Sequence, residues 1–402
     1  MVGEAYASSS MQRYSGEPLG SRPHIVVLGS CKVGNFVVST PVLKGLRARF
    51  PDAVIGFLGS EITADFERAF PGIDWRHSWD DPSPGAALLL HKTLHHLIER
   101  HGPIGLAVNL DGFNPVTCCL VPALEPLYVA GGALAENRHH RLPWGELPQQ
   151  RFLADADWDQ PVFLDRYRSL FKSQYIAELF CQLAFVSDHV DPFAIELPAV
   201  QPSFPVPDLL IHCTTARPAK LWPASSWVDV ILYAESLGWT VGLVGSAPTL
   251  QQSAYNAGCL ETQLLEQTNL IDLRGQTTLI ELAGACQAAR AMITVDAGPL
   301  HIAAAMATPV LAIVGNDSEG VGASPIRLWM PRCPAASRTV SEHSCEICAD
   351  QHFKNDDCLV PGHPCMAGVS AQQVINWLAQ TVISEQLANS ALGVSNSIQN
   401  MD

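Results

Sequence analysis

From His24 onward, short apolar runs alternate with longer amphipathic stretches. "HIVVLG" leads into a helix-like pattern through Arg49, "AVIGFL" precedes similar patterns near Ile62–Ala69 and Ala86–Arg100, and "IGLAVNL" closes the series. Near-continuous apolar strands joined by helices predict a parallel sheet covered on both faces. The stretch "RYRSLFKSQYIAELFCQLAFV" reads as one long helix, and the following "LPAVQPSFPVPD", Leu197–Asp208, holds four prolines in twelve residues. Such proline density marks a linker. The rhythm then restarts with "LLIHC", a helix from about Ala224, "TVGLVG", helices near Leu250–Ala257 and Thr278–Ala288, "AMITV", a helix from Pro299, and "PVLAIVG". Residues 333–368 lack periodicity and predict a loop or small subsite, while "AQQVINWLAQTVI" predicts a last helix.

The expected organisation is a disordered tail over 1–22, an α/β domain over 23–196, a linker over 197–208, and a second α/β domain over 209–369. A helix over 370–385 and a polar tail over 386–402 complete it. A chain of 402 residues fits two cores better than one. Two Rossmann-like domains leave a cleft between the carboxyl ends of their sheets, so functional residues are expected on strand-to-helix turns.

Composition narrows the partners. Hydrophobic residues make up 48% and charged residues 16%, and no uninterrupted apolar window spans the ~18 residues a membrane crossing needs. The first twenty residues lack the basic start and apolar run of an export signal, so the expected compartment is the cytoplasm. A net charge of -15 argues against a nucleic-acid backbone or an anionic membrane as main partner. Twelve cysteines in a long chain without an export signal are expected to stay reduced.

Two segments carry chemistry. In "LIHCTTARPAKLWPASSW", a strand delivers Thr214 and Thr215, and a short loop carries Arg217 and Lys220. Two hydroxyls and an ammonium suit a diphosphate whose charge builds as it leaves. The other reading is a polar loop that caps the next helix through Ser225 or Ser226. In "ITVDAGPLHIAAAMATPVLAIVG", a strand ends at Asp296 and Pro299 sits where a first helical position is expected. The amides around Gly298, Pro299 and Leu300 are expected to form an anion site at the helix start. His301 adds a donor or is a satisfied structural histidine.

These blocks resemble glycosyltransferase family 9, the heptosyltransferases, whose fold is GT-B. "TTARPAKLWP" reads like the family's block, and its D-x-G-x-x-H is present as Asp296, Gly298 and His301. "VGNFVVSTPVLKGLRARFPDAVIGFL" and "VNLDGFNP" match blocks of the first domain, in order. The resemblance implies an inverting, metal-independent transfer of a sugar, typically heptose from ADP-heptose, to an acceptor hydroxyl. It implies that Thr214, Thr215, Arg217, Lys220, Asp296, Gly298, Pro299, Leu300 and His301 bind the nucleotide sugar, and that Gly34 and Asn35 lie at the acceptor.

One departure matters. The family's general base follows the glycine of the first turn, where this chain has Asn35. An amide is a poor proton acceptor. Asp111, at the end of the strand before Gly112, is the expected substitute and lies at the acceptor, the other readings being a residue that positions the acceptor and a turn cap. The alternatives are a silent nucleotide-sugar-binding protein and a nucleotide-sugar epimerase or hydrolase. The acidic balance favours a protein or soluble metabolite as acceptor over lipopolysaccharide.

Cys345, Cys348, Cys358 and Cys365 are spaced C-x2-C-x9-C-x6-C, which suits a tetrahedral Zn or Fe of structural role, with His343, His352 or His363 able to replace a ligand, and with reduced thiols or redox chemistry as the other readings. The partial resemblance to autotransporter heptosyltransferases implies iron there. No cofactor is expected in catalysis, and oligomerisation is left open. "ENRHHRLPW" is expected to be an exposed basic loop.

Overall fold

The structure, a computed structural model, describes residues 11–158, 160–254, 259–315, 326–341, 347 and 356–383. The chain divides into two compact units, 1–198 and 199–402, and the division falls inside the proline-rich stretch expected as a linker.

The first unit holds a six-stranded parallel sheet made of β1 (Gln12–Arg13), β2 (His24–Leu28), β3 (Val54–Gly59), β4 (Trp75–Ser78), β5 (Ile104–Asn109) and β6 (Tyr128–Gly131). Their order is β1-β6-β5-β2-β3-β4. Every residue of β2 and β3 is buried, which is why these strands read as unbroken apolar runs. Gly29, just past β2, is required by packing, because a Cβ there would stand 2.5 Å from the Phe57 ring.

The second unit repeats the plan with β7 (Leu209–His212), β8 (Val241–Leu243), β9 (Ile271–Asp272), β10 (Ala291–Val295), β11 (Val310–Val314) and β12 (Ala336–Val340), in the order β12-β11-β10-β7-β8-β9. Its core gathers Ile211, Ile293 and Leu311 with Trp222 and Trp227, whose rings meet edge to face at 5.1 Å. The helix over 371–383 lays Val374 and Leu378 into this core.

Three expectations need correction. The disordered tail does not extend to residue 22: β1 pairs with β6, Tyr14 is fully buried, and Arg13 donates to the carbonyls of Gly131, Leu142 and Pro143. Of the long helix expected over 166–186, only Ile176–Leu183 is helical; a separate short helix, Val162–Arg166, ends where the expected one begins, and 167–175 form turns. Glu178 accepts from the amides of Lys172 and Ser173 at the start of the helix Ile176–Leu183, and Phe163, Tyr167 and Phe171 each meet Phe152 edge to face. Finally, Ala336–Val340 is a strand and not part of a loop. All five of its residues are half-buried at a sheet edge, so "ASRTV" carries no apolar run.

Candidate functional site

In both sheets the strand order reverses at the centre. Sequential neighbours of β2 run to one side as β3 and β4, and β5 and β6 lie on the other; β7 and β10 are the matching pair in the second sheet. Open α/β sheets bind ligands at the carboxyl ends of the strands flanking such a reversal. Apart from the four cysteines, the candidate residues stand at or just past these two places.

In the second unit, Thr214 and Thr215 follow β7, and Pro218–Lys220 form a single 3-10 turn. Asp296 follows β10, the neighbour of β7. The Lys220 ammonium pairs with Asp296 Oδ2, with side chains 22% and 12% exposed. Burial alone would raise the Asp296 pKa, but Lys220, then His301 and Arg217, hold the carboxyl below its ordinary value. Pro223 precedes the helix Ala224–Ser236 with no side-chain cap, so the alternative of a Ser225 or Ser226 cap is not what the loop does.

The helix Gly298–Ala305 starts one residue earlier than expected, with Ala297 at the cap and Pro299 in second place. The expected amide nest is correspondingly thinner. Pro299 has no N–H, and the Leu300 amide donates to the Ala297 carbonyl at 3.1 Å. Among the described residues that leaves Gly298 as the free donor of the three. His301 is buried, and its Nδ1 has no hydrogen-bond partner among the described residues. Burial lowers its pKa to about 4, which keeps the ring neutral.

Thr214 differs most from expectation. It is fully buried, and its hydroxyl accepts from Gln251 Nε2 at 2.8 Å. Gln251 also donates to Glu261, whose other oxygen accepts from Arg274, itself forked onto Asp272. The Thr214 side chain therefore anchors the end of β7, leaving Thr215 and Lys220 nearer the surface. The anchoring residues lie 37 or more positions away and carry no local motif, so sequence reading did not find them.

In the first unit, the helix Val33–Arg49 begins at the end of the turn after β2. Gly34 and Asn35 lie inside its first turn and not in the preceding loop; Gly34 is buried, and the half-buried Asn35 side chain has no partner among the described residues. Asp111 follows β5, adjacent to β2. One carboxylate oxygen, Oδ2, accepts from Asn114 Nδ2 at 2.9 Å, and the backbone carbonyl accepts from Asn114 N and Thr117 Oγ1. Asp111 is thus a turn residue that keeps Oδ1 without a partner among the described residues. Gly112 fits because its Cβ position would lie 2.6 Å from Gly132 N. The turns after β2 and β5 converge: burial, then the charges of Asp80 and Asp111, push the Cys31 thiol pKa up. Asp80, which sequence reading missed, has both oxygens occupied, by Ser60 and the Glu61 amide.

Of the four cysteines, Cys345 and Cys348 lie outside the described residues. Cys358 donates to the Val360 carbonyl at 3.3 Å, and Cys365 is buried in the core of the second unit. Among the described residues no three metal-ligating side chains converge. The loop with Arg138, His139, His140 and Arg141 is exposed and closed by a Leu134–Arg141 bridge. No helix among the described residues is long and apolar enough to cross a membrane.

The sequence profile of "Glycosyltransferase family 9 (heptosyltransferase)" matches residues 136–344. The lipooligosaccharide heptosyltransferase 2 of Haemophilus influenzae is 32% identical over 318 residues, 73% of this chain and 84% of its own. Among solved structures, a family 9 glycosyltransferase from Veillonella parvula superposes with a TM-score of 0.64 at 17% identity, over 90% of this chain and 97% of its own. The dodecameric iron-containing heptosyltransferase TibC in complex with ADP-D-beta-D-heptose superposes with a TM-score of 0.53 at 16% identity, over 92% of this chain and 78% of its own. The two parallel sheets, the strand-end pair Lys220–Asp296 and these matches lead to one conclusion: the chain belongs to glycosyltransferase family 9, has the GT-B fold and is a heptosyltransferase-like glycosyltransferase.

Proposed function

We propose that this enzyme transfers heptose from ADP-heptose to an acceptor hydroxyl with inversion at the anomeric carbon. The observation that carries the reading is the largely buried Lys220–Asp296 pair at the reversal of the second sheet, beside the start of the helix Gly298–Ala305. An ammonium held there neutralises charge growing on a departing diphosphate, so the reaction needs no metal for that task. Thr215 and the Gly298 amide add donors to the phosphates, Arg217 adds charge, and His301 supplies a neutral ring at the sugar. Asp296 orients Lys220 and is too tightly paired to exchange a proton near neutrality. The ADP-heptose bound in the TibC complex supports the choice of donor.

At the acceptor, Asp111 Oδ1 takes the hydroxyl proton as the oxygen bonds to the anomeric carbon and the bond to the diphosphate breaks on the opposite face. Asn35 orients the hydroxyl. The relative's name points to lipooligosaccharide as acceptor, whereas the charge of -15 favours a soluble molecule. Four thiolates at the observed cysteine spacing suit a structural Zn or Fe ion, a role that the iron in TibC supports.

The test is to incubate the protein with ADP-heptose and either a heptose-deficient lipooligosaccharide or candidate soluble acceptors, and to follow ADP release and product mass. Acceptor-dependent ADP release with a heptosylated product is expected. ADP release with free heptose and no acceptor product would overturn the transfer reading.

A further inference from the structure

The residues just before Lys220 are held by a distant part of the chain. The Ala219 amide donates to the Asp356 carbonyl at 2.9 Å, and the Ala219 carbonyl lies 2.7 Å from His363 Nε2. Two residues past Lys220, the Trp222 indole donates to the Val369 carbonyl at 2.8 Å. Three hydrogen bonds from 356–369 thus grip a four-residue turn more than 130 positions earlier in sequence, on both sides of the lysine.

The clasp is itself anchored. His363 adopts a left-handed backbone conformation, φ 48°, and stands at the cap of the helix Pro364–Ala367. Cys365 and Met366 of that helix are buried, and a Cβ at Gly315 would stand 2.6 Å from Met366 Sδ, so the helix is wedged against the end of β11. The side chain that reaches out of this wedge is His363, half-buried, with its ring on the peptide before Lys220.

We propose that His363 is a positioning residue for Lys220: it fixes the peptide from which the ammonium is presented to Asp296 and to the departing diphosphate. A lysine side chain has many rotamers, and fixing its backbone removes freedom that would otherwise be lost when the anion binds. The segment containing the later cysteines therefore serves the donor site through hydrogen bonds whatever its cysteines bind. The inference rests on the reading of Lys220 as a diphosphate-binding residue.

The experiment measures binding of ADP and of adenosine, together with transfer kinetics, for the full-length wild type, His363→Ala, His363→Gln, Lys220→Ala and His363→Ala/Lys220→Ala. Loss of one hydrogen bond in a pre-set loop is expected to weaken ADP binding about tenfold in His363→Ala. Adenosine binding should be unchanged, and Gln, which carries an amide donor, should restore most of the loss. In the Lys220→Ala background, removal of His363 should cost nothing further, because the group it positions is gone. Equal losses for Ala and Gln, additive losses with Lys220→Ala, or an equal loss for adenosine would overturn the proposal. Wild-type protein that binds adenosine but not ADP would instead overturn the reading of Lys220, and the inference with it.

Discussion

Lys220 and Asp296, 76 positions apart, form an ion pair across the ends of the neighbouring parallel strands β7 and β10. Each is only slightly exposed, so each charge depends on the other.

Removal of one partner should therefore cost more than removal of both. Lys220→Ala leaves a largely buried carboxylate alone and is expected to destabilise the protein by about 3 kcal/mol, while Lys220→Ala/Asp296→Asn recovers most of that. Denaturant unfolding of the three proteins checks this. The Asp296 pKa is depressed on folding, so its stabilising effect is full above the ordinary carboxylate range, fades as pH falls from there towards the lowered value, and is gone once pH has fallen through it.

Asp111→Asn is expected to lower kcat by about 10²–10⁴ with little change in the KM for the nucleotide sugar, as for loss of a general base. Adding Asn35→Asp in that background places a carboxylate where the family carries one and should raise turnover above the single variant. Steady-state kinetics at fixed acceptor concentration decide both points, and unchanged turnover in Asp111→Asn would remove it as the base.

Two histidines of the second unit, His212 and His301, are buried and have their pKa lowered to about 4 by burial. An unfolded chain binds protons at these rings below about pH 6.5 while the folded one does not until about pH 4. Stability should thus fall with pH across that window and level off below it. Between pH 7 and pH 5 the loss is expected to be about 2 kcal/mol for each ring. His212→Gln should flatten the slope of unfolding free energy against pH by roughly half of that effect.

The edge strand β1 should matter to the first unit far beyond its two residues. Tyr14 is fully buried, meets Phe185 edge to face at 5.4 Å, and lies beneath the Arg49 guanidinium. Tyr14→Ala is expected to cost about 3–5 kcal/mol, measurable as a lowered unfolding midpoint.

Elemental analysis of protein purified without chelator and without immobilised nickel should find close to one Zn or Fe per chain. Substituting Cys345 and Cys348 together with serine should abolish it. Absence of metal from the wild type would leave these cysteines as reduced thiols.

The central strands and the candidate residues at their ends were legible in the sequence because full burial on both faces writes β2, β3, β7, β10 and β11 as apolar runs, and the polar residues that interrupt them fall at the turns. The edge strands β1, β4, β9 and β12 were not, since a strand paired on one side needs no apolar run, and the short interior strand β6 was missed as well. The non-helical part of 166–186 also escaped, because the apolar spacing there is helical and what interrupts it is tertiary: Glu178 on the Lys172 and Ser173 amides, Gln174 on the Trp158 and Gln160 carbonyls, and the aromatic contacts with Phe152.

The sequence by itself determined that there are two α/β units and which residue types arrive at the strand ends, because the local hydrophobic period suffices for those. Tertiary structure alone decided which hydroxyl faces inward: Thr214 and Thr215 are adjacent and chemically alike, and Gln251, brought in by another helix, takes the first. It alone placed His363 on the peptide before Lys220 and left Asp111 with one occupied and one open oxygen. Those outcomes depend on contacts between segments far apart in the chain, which pack in a geometry that no local pattern encodes.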